Sequence, residues 1–240
     1  VWTDYPPNCK EHIKTLLELQ LYQNRPLLLA ILNKFTKADT EKAFKLIVSW
    51  SVRNLVTGTS GTGTLEKEFS NQAKLINDGK IKSALEFKNS IADLIPTDDS
   101  FKKQFALITI SKNYIARYYL SELEKTYHTT REQETSKNIS IISLEHILPE
   151  SPNLKKEWKN FTEDQHKSYY KRVGNMTLMD KKMNSQQKNS SLSDKKLFYE
   201  KSEVLITKAI TKYQDWTTTS IEKRQEGFAQ RAVDIWDLKI

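Results

Sequence analysis

Apolar positions recur at three- and four-residue intervals through most of the first half of the chain, the period of amphipathic helices. Leu16, Leu17, Leu19 and Leu21 fall in a first helical segment, and Pro26 opens a second at Leu27. Asp39-Thr40 is read as the cap of a third helix, in which Phe44, Ile47, Val48 and Leu55 keep the spacing. The run Thr57-Gly58-Thr59-Ser60-Gly61-Thr62-Gly63-Thr64 breaks the pattern. It lacks the Lys-Ser/Thr that completes a phosphate-binding loop, so it reads as a flexible connection between helices. Helices are expected near 65–78 and 83–95, the latter closed by Pro96. Asp98 to Ser100 should then cap one long helix reaching about Tyr127, with Phe101, Phe105, Ile108, Ile115 and Tyr119 along a single broad face.

The pattern then changes. Residues 128–138 are polar and without period, and read as a linker. The β-branched run from Ile139 to Leu144 reads as a strand, and strand character returns from Val173 to Met179. Helical spacing resumes near Ser193 and fills most of the tail. The expected class is α+β and predominantly α, with a helical domain over 1–130, of connector or regulatory kind, and a second domain over 139–240.

Composition narrows the functional classes. The 240 residues carry 38 Lys and Arg against 30 Asp and Glu, a net charge of +8. That balance favours a polyanionic partner, nucleic acid first among them, although a Lys-rich solvated surface would give the same number. The single Cys9 excludes an internal disulfide and a cysteine-based zinc site, and fits a reducing cytoplasm. Apolar runs such as Leu27 to Leu32 are far shorter than the ~18 residues of a membrane span. The chain opens on Val1-Trp2-Thr3 without Met or a signal peptide, as an excised or processed fragment would.

Three local features carry candidate chemistry. Leu144-Glu145-His146-Ile147-Leu148-Pro149 delivers an acid-histidine pair at the end of a strand that Pro149 terminates. Arg172-Val173-Gly174-Asn175-Met176-Thr177-Leu178-Met179 is a Gly-Asn turn entering a strand, followed by Asn184 and Asn189. Residues 167–196 hold eight basic side chains, Lys167, Lys171, Arg172, Lys181, Lys182, Lys188, Lys195 and Lys196, against Asp180 and Asp194 alone. Taken singly, these are a structural histidine, a hairpin turn and a solvated face.

Their order is more specific. Strand, acid-His, Pro, insertion, Gly-Asn strand, Asn, then helix resembles the HNH (His-Me finger, ββα-metal) nuclease motif, with Asn175 and Asn184 nine residues apart. A resemblance over nearly all of 139–240 is closer still. Glu145-His146-Ile147-Leu148-Pro149, Gly174-Asn175-Met176-Thr177-Leu178, Asn184, Asn189 and Lys195, with Trp216, Ile221, Arg224, Ala232 and Trp236 in the tail, resemble the C-terminal nuclease half of GmrSD-type modification-dependent restriction enzymes.

The resemblance implies a ββα-metal nuclease domain with a helical tail. His146 would be the general base, Asn175 the residue that positions its loop, and Glu145 and Asn184 ligands of one Mg²⁺ or Mn²⁺. Asn189 and Lys195 match the motif as further site residues. Lys171, Arg172, Lys181, Lys182 and Lys188 would meet the DNA backbone. The sequence departs from the commoner pattern in having Glu before the histidine and Asn where many such enzymes have a final His.

The chemistry is consistent with those residue types. A neutral imidazole can take a proton from water near pH 7, and a hard cation with oxygen ligands can stabilise the pentavalent phosphate. The implied function is a metal-dependent DNA endonuclease or nickase, the effector of a restriction or anti-phage system, with a nucleotide-sensing N-terminal module of the same protein lying outside this chain. A non-catalytic DNA-binding module and an RNase toxin are the competing readings. His12 and His128 are expected to be isolated and exposed, and Arg117 and Tyr118 are candidate DNA contacts, against the favoured alternative of a solvated or core-edge position.

Overall fold

The computed structural model describes residues 4–59, 61–128, 142–187 and 189–240. They form a mostly helical fold with a two-stranded antiparallel sheet. The chain divides into two compact units, 1–104 with 236–240, and 105–235, so the division falls earlier than the change of residue pattern at Ile139. Of the expected linker only His128 is described; residues 129–138 lie outside the described residues, as do 139–141 of the first expected strand.

The first unit contains α1 (Pro7–Glu18), α2 (Arg25–Lys34), α3 (Lys37–Thr57), α4 (Thr62–Asn77) and α5 (Ala84–Ser90). α1 stops at Glu18, so Leu19 and Leu21 are buried from irregular chain beyond it, where Gln20 takes a left-handed conformation. The cap of α3 is Thr36, not Asp39-Thr40: its hydroxyl accepts from the Asp39 N–H at 3.1 Å. Asp39 sits in the first turn, where the helix dipole favours a carboxylate, and accepts from the Ala84 N–H at 3.1 Å. Gly58 ends α3 in the left-handed conformation with φ 63°, and helix resumes at Thr62, within the segment expected to be loop. The core of this unit includes Phe44, Ile47, Trp50, Phe69 and Phe87. Arg53, fully buried, ties the C-terminus to it by donating to Trp236 O (2.9 Å), Pro96 O (2.9 Å) and Asp98 Oδ1 (2.6 Å).

The expected long helix from Asp98 to Tyr127 is two helices, α6 (Asp98–Phe105) and α7 (Asn113–Lys125). The β-branched residues of Ile108-Thr109-Ile110 favour extended chain, and Ile110 N–H donates to Lys171 O at 2.9 Å. The Phe105 and Ile108 carbonyls released by the break accept from Gln225 Nε2 at 2.9 and 3.0 Å. Tyr118 of α7 is buried.

The rest of the second unit is β1 (Ile142–His146), α8 (Glu163–Tyr169), β2 (Met176–Asp180), α9 (Lys181–Gln187), α10 (Leu192–Tyr199), α11 (Leu205–Lys208) and α12 (Thr218–Ile235). β1 and β2 pair antiparallel with Leu144 opposite Leu178 and His146 opposite Met176. The expected second strand is shorter at its start, because Val173–Asn175 form a 3-10 turn. Gly174 lies there hard against α12: a Cβ would collide with Ile221 O. The core includes Ile147, Leu148, Trp158, Met179, Tyr199, Trp216 and Ile221. His128, expected to be exposed, is half-buried with Nε2 3.0 Å from Glu124 Oε1, and the Glu124 carboxylate also accepts the Leu205 and Ile206 N–H groups that open α11.

Candidate functional site

The site grows from the end of β1. Ile147 N–H donates to Asn175 O at 2.9 Å, which fixes the phase of the antiparallel ladder. In that phase the carbonyls of Leu144 and His146 point away from β2, towards an edge with no strand beside it among the described residues. Two side chains from the following helices satisfy them. Asn184 Nδ2 of α9 donates to Leu144 O at 2.9 Å and to Ser143 Oγ at 2.9 Å, and Lys195 Nζ of α10 donates to His146 O at 2.7 Å.

Asn175 closes the loop on the other side. Its Oδ1 accepts from Leu148 N–H (2.8 Å) and Trp216 Nε1–H (2.9 Å), and its Nδ2 donates to Leu148 O (2.9 Å) and Tyr170 O (3.0 Å). A fully buried amide with two donors and two acceptor bonds is completely satisfied, and it grips both polar groups of a residue two places after His146.

The His146 imidazole is largely enclosed, with its side chain 13% exposed. Nε2 lies 3.8 Å from Oε1 of Glu150, a mostly exposed carboxylate four residues along the chain. Tyr170 places its ring 6.4 Å from that of His146. Burial holds the His146 pKa below the ordinary histidine range; Glu150 opposes that shift, while Lys195 and Lys171 reinforce it. The lowered pKa favours the neutral ring, the form able to accept a proton.

The sequence did not single out His166, Tyr170 or Glu150. His166 Nε2 donates to Pro149 O at 2.9 Å, and its ring stacks on Tyr170 at 5.0 Å. These contacts brace the His146 loop from α8. No spacing rule links residues 17 positions apart, so the sequence held no signal for them.

Glu145 is buried, and its Oε1 accepts from Lys195 Nζ at 2.6 Å and from Tyr199 OH at 3.1 Å. Burial pushes the Glu145 carboxyl up and the Lys195 ammonium down, each opposed by the other's charge. Consecutive side chains of a strand leave on opposite faces, so Glu145 does not share the His146 face. The two expected ligands are thus engaged differently. The Glu145 charge is already balanced by an ammonium, whereas Asn184 has turned its Nδ2 inward and keeps Oδ1 without a hydrogen bond among the described residues. Nor do the described residues contain a group of three or more His, Cys, Asp or Glu arranged to hold a metal.

The basic residues divide. Lys181 and Lys182 are exposed at the start of α9, and Lys171 is half-buried with Nζ 5.3 Å from the centre of the Tyr170 ring. Arg172, expected to meet DNA, is turned inward instead. Its guanidinium donates to Gln225 Oε1 (3.1 Å) and Ala106 O (2.6 Å), and it is only 8% exposed. Lys188 lies outside the described residues, and Asn189 is exposed in the turn between α9 and α10. Arg224 of α12 is a second buried arginine. It donates to Gly174 O and Met176 O, both at 2.8 Å, and to Ile206 O at 3.2 Å, and burial lowers its pKa to about 10.

Among curated proteins, none matches the chain. Residues 95–231, more than half of its length and the span that holds β1, β2, His146, Asn175 and Lys195, match the family described as GmrSD restriction endonucleases, C-terminal domain, and the chain belongs to that family.

Proposed function

We propose that residues 105–235 form an HNH-type, metal-dependent DNA endonuclease or nickase, with His146 as its general base. The observation that carries this reading is the largely enclosed His146 imidazole at a strand end, in a loop that Asn175 holds at both polar groups of Leu148. The family match supports a restriction-type nuclease effector.

In this mechanism His146 takes a proton from a water aligned with the scissile phosphorus, and Asn175 keeps the ring in place through the Leu148 loop. Tyr170 and His166 brace the same loop from α8. Lys171, Lys181 and Lys182 face the phosphate backbone. Mg²⁺ or Mn²⁺ would supply charge stabilisation at the phosphate. Asn184 Oδ1 is the expected ligand atom still open to it, water and phosphate oxygens completing the shell. The proposal extends to a restriction or anti-phage setting in the cytoplasm and a nucleotide-sensing module N-terminal to this chain. Among the described residues, no helix is long and apolar enough to cross a membrane.

Nicking of supercoiled plasmid tests the reading. Cleavage should require Mg²⁺ or Mn²⁺ and stop in EDTA. His146→Ala should reduce it by roughly 10²–10⁴-fold, the contribution of a positioned base, at unchanged DNA affinity. A folded His146→Ala variant that cuts at the parental rate refutes it. Binding without cleavage by the parent would identify a binding module, and preferential cleavage of RNA a ribonuclease.

A further inference from the structure

We infer that Glu145 is the buried counter-ion of Lys195 and not a ligand of the cation, the pair serving as a strut that fixes the outer edge of the strand carrying His146. For the cation this rests on the nuclease reading above; for the strut it does not.

The arrangement is built from one helix face. Lys195 and Tyr199 are four residues apart on α10, so their side chains rise from the same side of the helix. Both converge on Glu145 Oε1, at 2.6 and 3.1 Å. The Lys195 ammonium is itself held elsewhere: it donates to His146 O at 2.7 Å and lies 6.0 Å from the centre of the Trp158 ring. The Lys195 and Glu145 side chains are 0% and 6% exposed. α10 is set in register by Ser191, whose hydroxyl accepts from Asp194 N–H at 3.3 Å, one residue before Lys195.

Every part of this geometry favours a fixed ammonium over a mobile ion. A doubly charged cation bound to the same carboxylate would stand close to the ammonium, and the two would repel across a buried, weakly screening gap. Removing Lys195 to make room would strip His146 O of its donor. The ammonium instead completes the unpaired edge of β1, and the carboxylate makes burial of that ammonium tolerable.

The full chain is compared with Glu145→Gln, Lys195→Met and the double variant Glu145→Gln/Lys195→Met. Two measurements are made: Mn²⁺ affinity by electron paramagnetic resonance, and thermal unfolding in EDTA. A strut predicts that Glu145→Gln leaves the Mn²⁺ Kd within about twofold, where disrupting a metal shell costs tenfold or more. It also predicts that each single variant loses roughly 10 °C in Tm without metal, because a buried charge is left alone. The neutral double variant should lose less than the two single losses added together, because no buried charge is left alone, while keeping the part due to the lost His146 O donor. A tenfold weaker Mn²⁺ Kd in Glu145→Gln overturns the inference. So does a higher Tm for that variant in EDTA, as expected of an unneutralised ligand, or a double variant as unstable as the sum of its parts or unable to fold. If the parent neither binds Mn²⁺ nor cleaves DNA, the nuclease reading fails, and the unfolding data alone decide the strut.

Discussion

Replacing Asn175 by Ala removes four hydrogen bonds at once and leaves the Leu148 N–H, Leu148 O, Tyr170 O and Trp216 Nε1–H without the partner each has now. A net contribution of ~1 kcal/mol per bond puts the loss near 4 kcal/mol, at the upper end of single-residue effects. In a unit of this size that is a fall in Tm of roughly 10 °C, read by differential scanning calorimetry. Asn175→Asp makes the test sharper. It keeps the volume but presents only acceptors when ionised, so one oxygen would face Leu148 O and Tyr170 O where an NH₂ now donates. Asp should be no better than Ala. Cleavage in both variants should fall by about 10²-fold, since displacing a base by an ångström is enough for that. An Asn175→Asp variant that melts and cuts like the parent would show that the site requires volume rather than the donor-acceptor pattern, and the loop-holding role would be refuted.

Gly174→Ala should destabilise the second unit by about 1–3 kcal/mol, because the new Cβ meets the backbone oxygen of Ile221 and the Cβ of Gln225, neither a flexible chain end; an unchanged Tm contradicts this packing. Cleavage needs a neutral His146 and is lost as pH falls through its pKa, which burial has lowered, so the acid limb of the rate profile should have its midpoint below the ordinary 6.5; a midpoint at or above that value sinks the assignment of the base. Lys181→Gln/Lys182→Gln should reduce the log-log salt slope of DNA binding by about 0.9 for each phosphate that the two lysines neutralise, and an unchanged slope would make these residues a solvated face.

What the sequence made legible was local. The β-branched run and the stretch 173–179 located two strands, the second too early by the 3-10 turn at Val173–Asn175, and the two pair antiparallel. The amphipathic spacing located the helices, but it ran through residues 106–112 as though the period were unbroken. Spacing cannot register that Gln225, more than a hundred residues later, offers the freed carbonyls a donor. Charge was similarly ambiguous. Lys181 and Arg172 look equivalent in a basic stretch, yet one is in solvent and the other bonds Gln225 and Ala106 inside the fold. Glu145 beside His146 reads as a second functional group until a lysine fifty residues away is seen on its carboxylate.

A two-stranded sheet is marginal by itself, and among the described residues each strand has one edge with no strand beside it. A base at the end of such a strand would move with the fraying of the sheet unless something other than strand pairing held it. Here the holding groups are side chains that arrive after β2 or at its start: Asn184 on Leu144 O, Lys195 on His146 O, and Asn175 on both polar groups of Leu148. Lys195 cannot be buried at that edge without Glu145, and Gly174 cannot be enlarged without displacing the turn that delivers Asn175. The position of the imidazole therefore depends on polar groups, most of them buried, whose partners span residues 143–216. Removing any one of them should appear in stability and in rate together, whereas removing the His146 side chain itself should appear in rate alone.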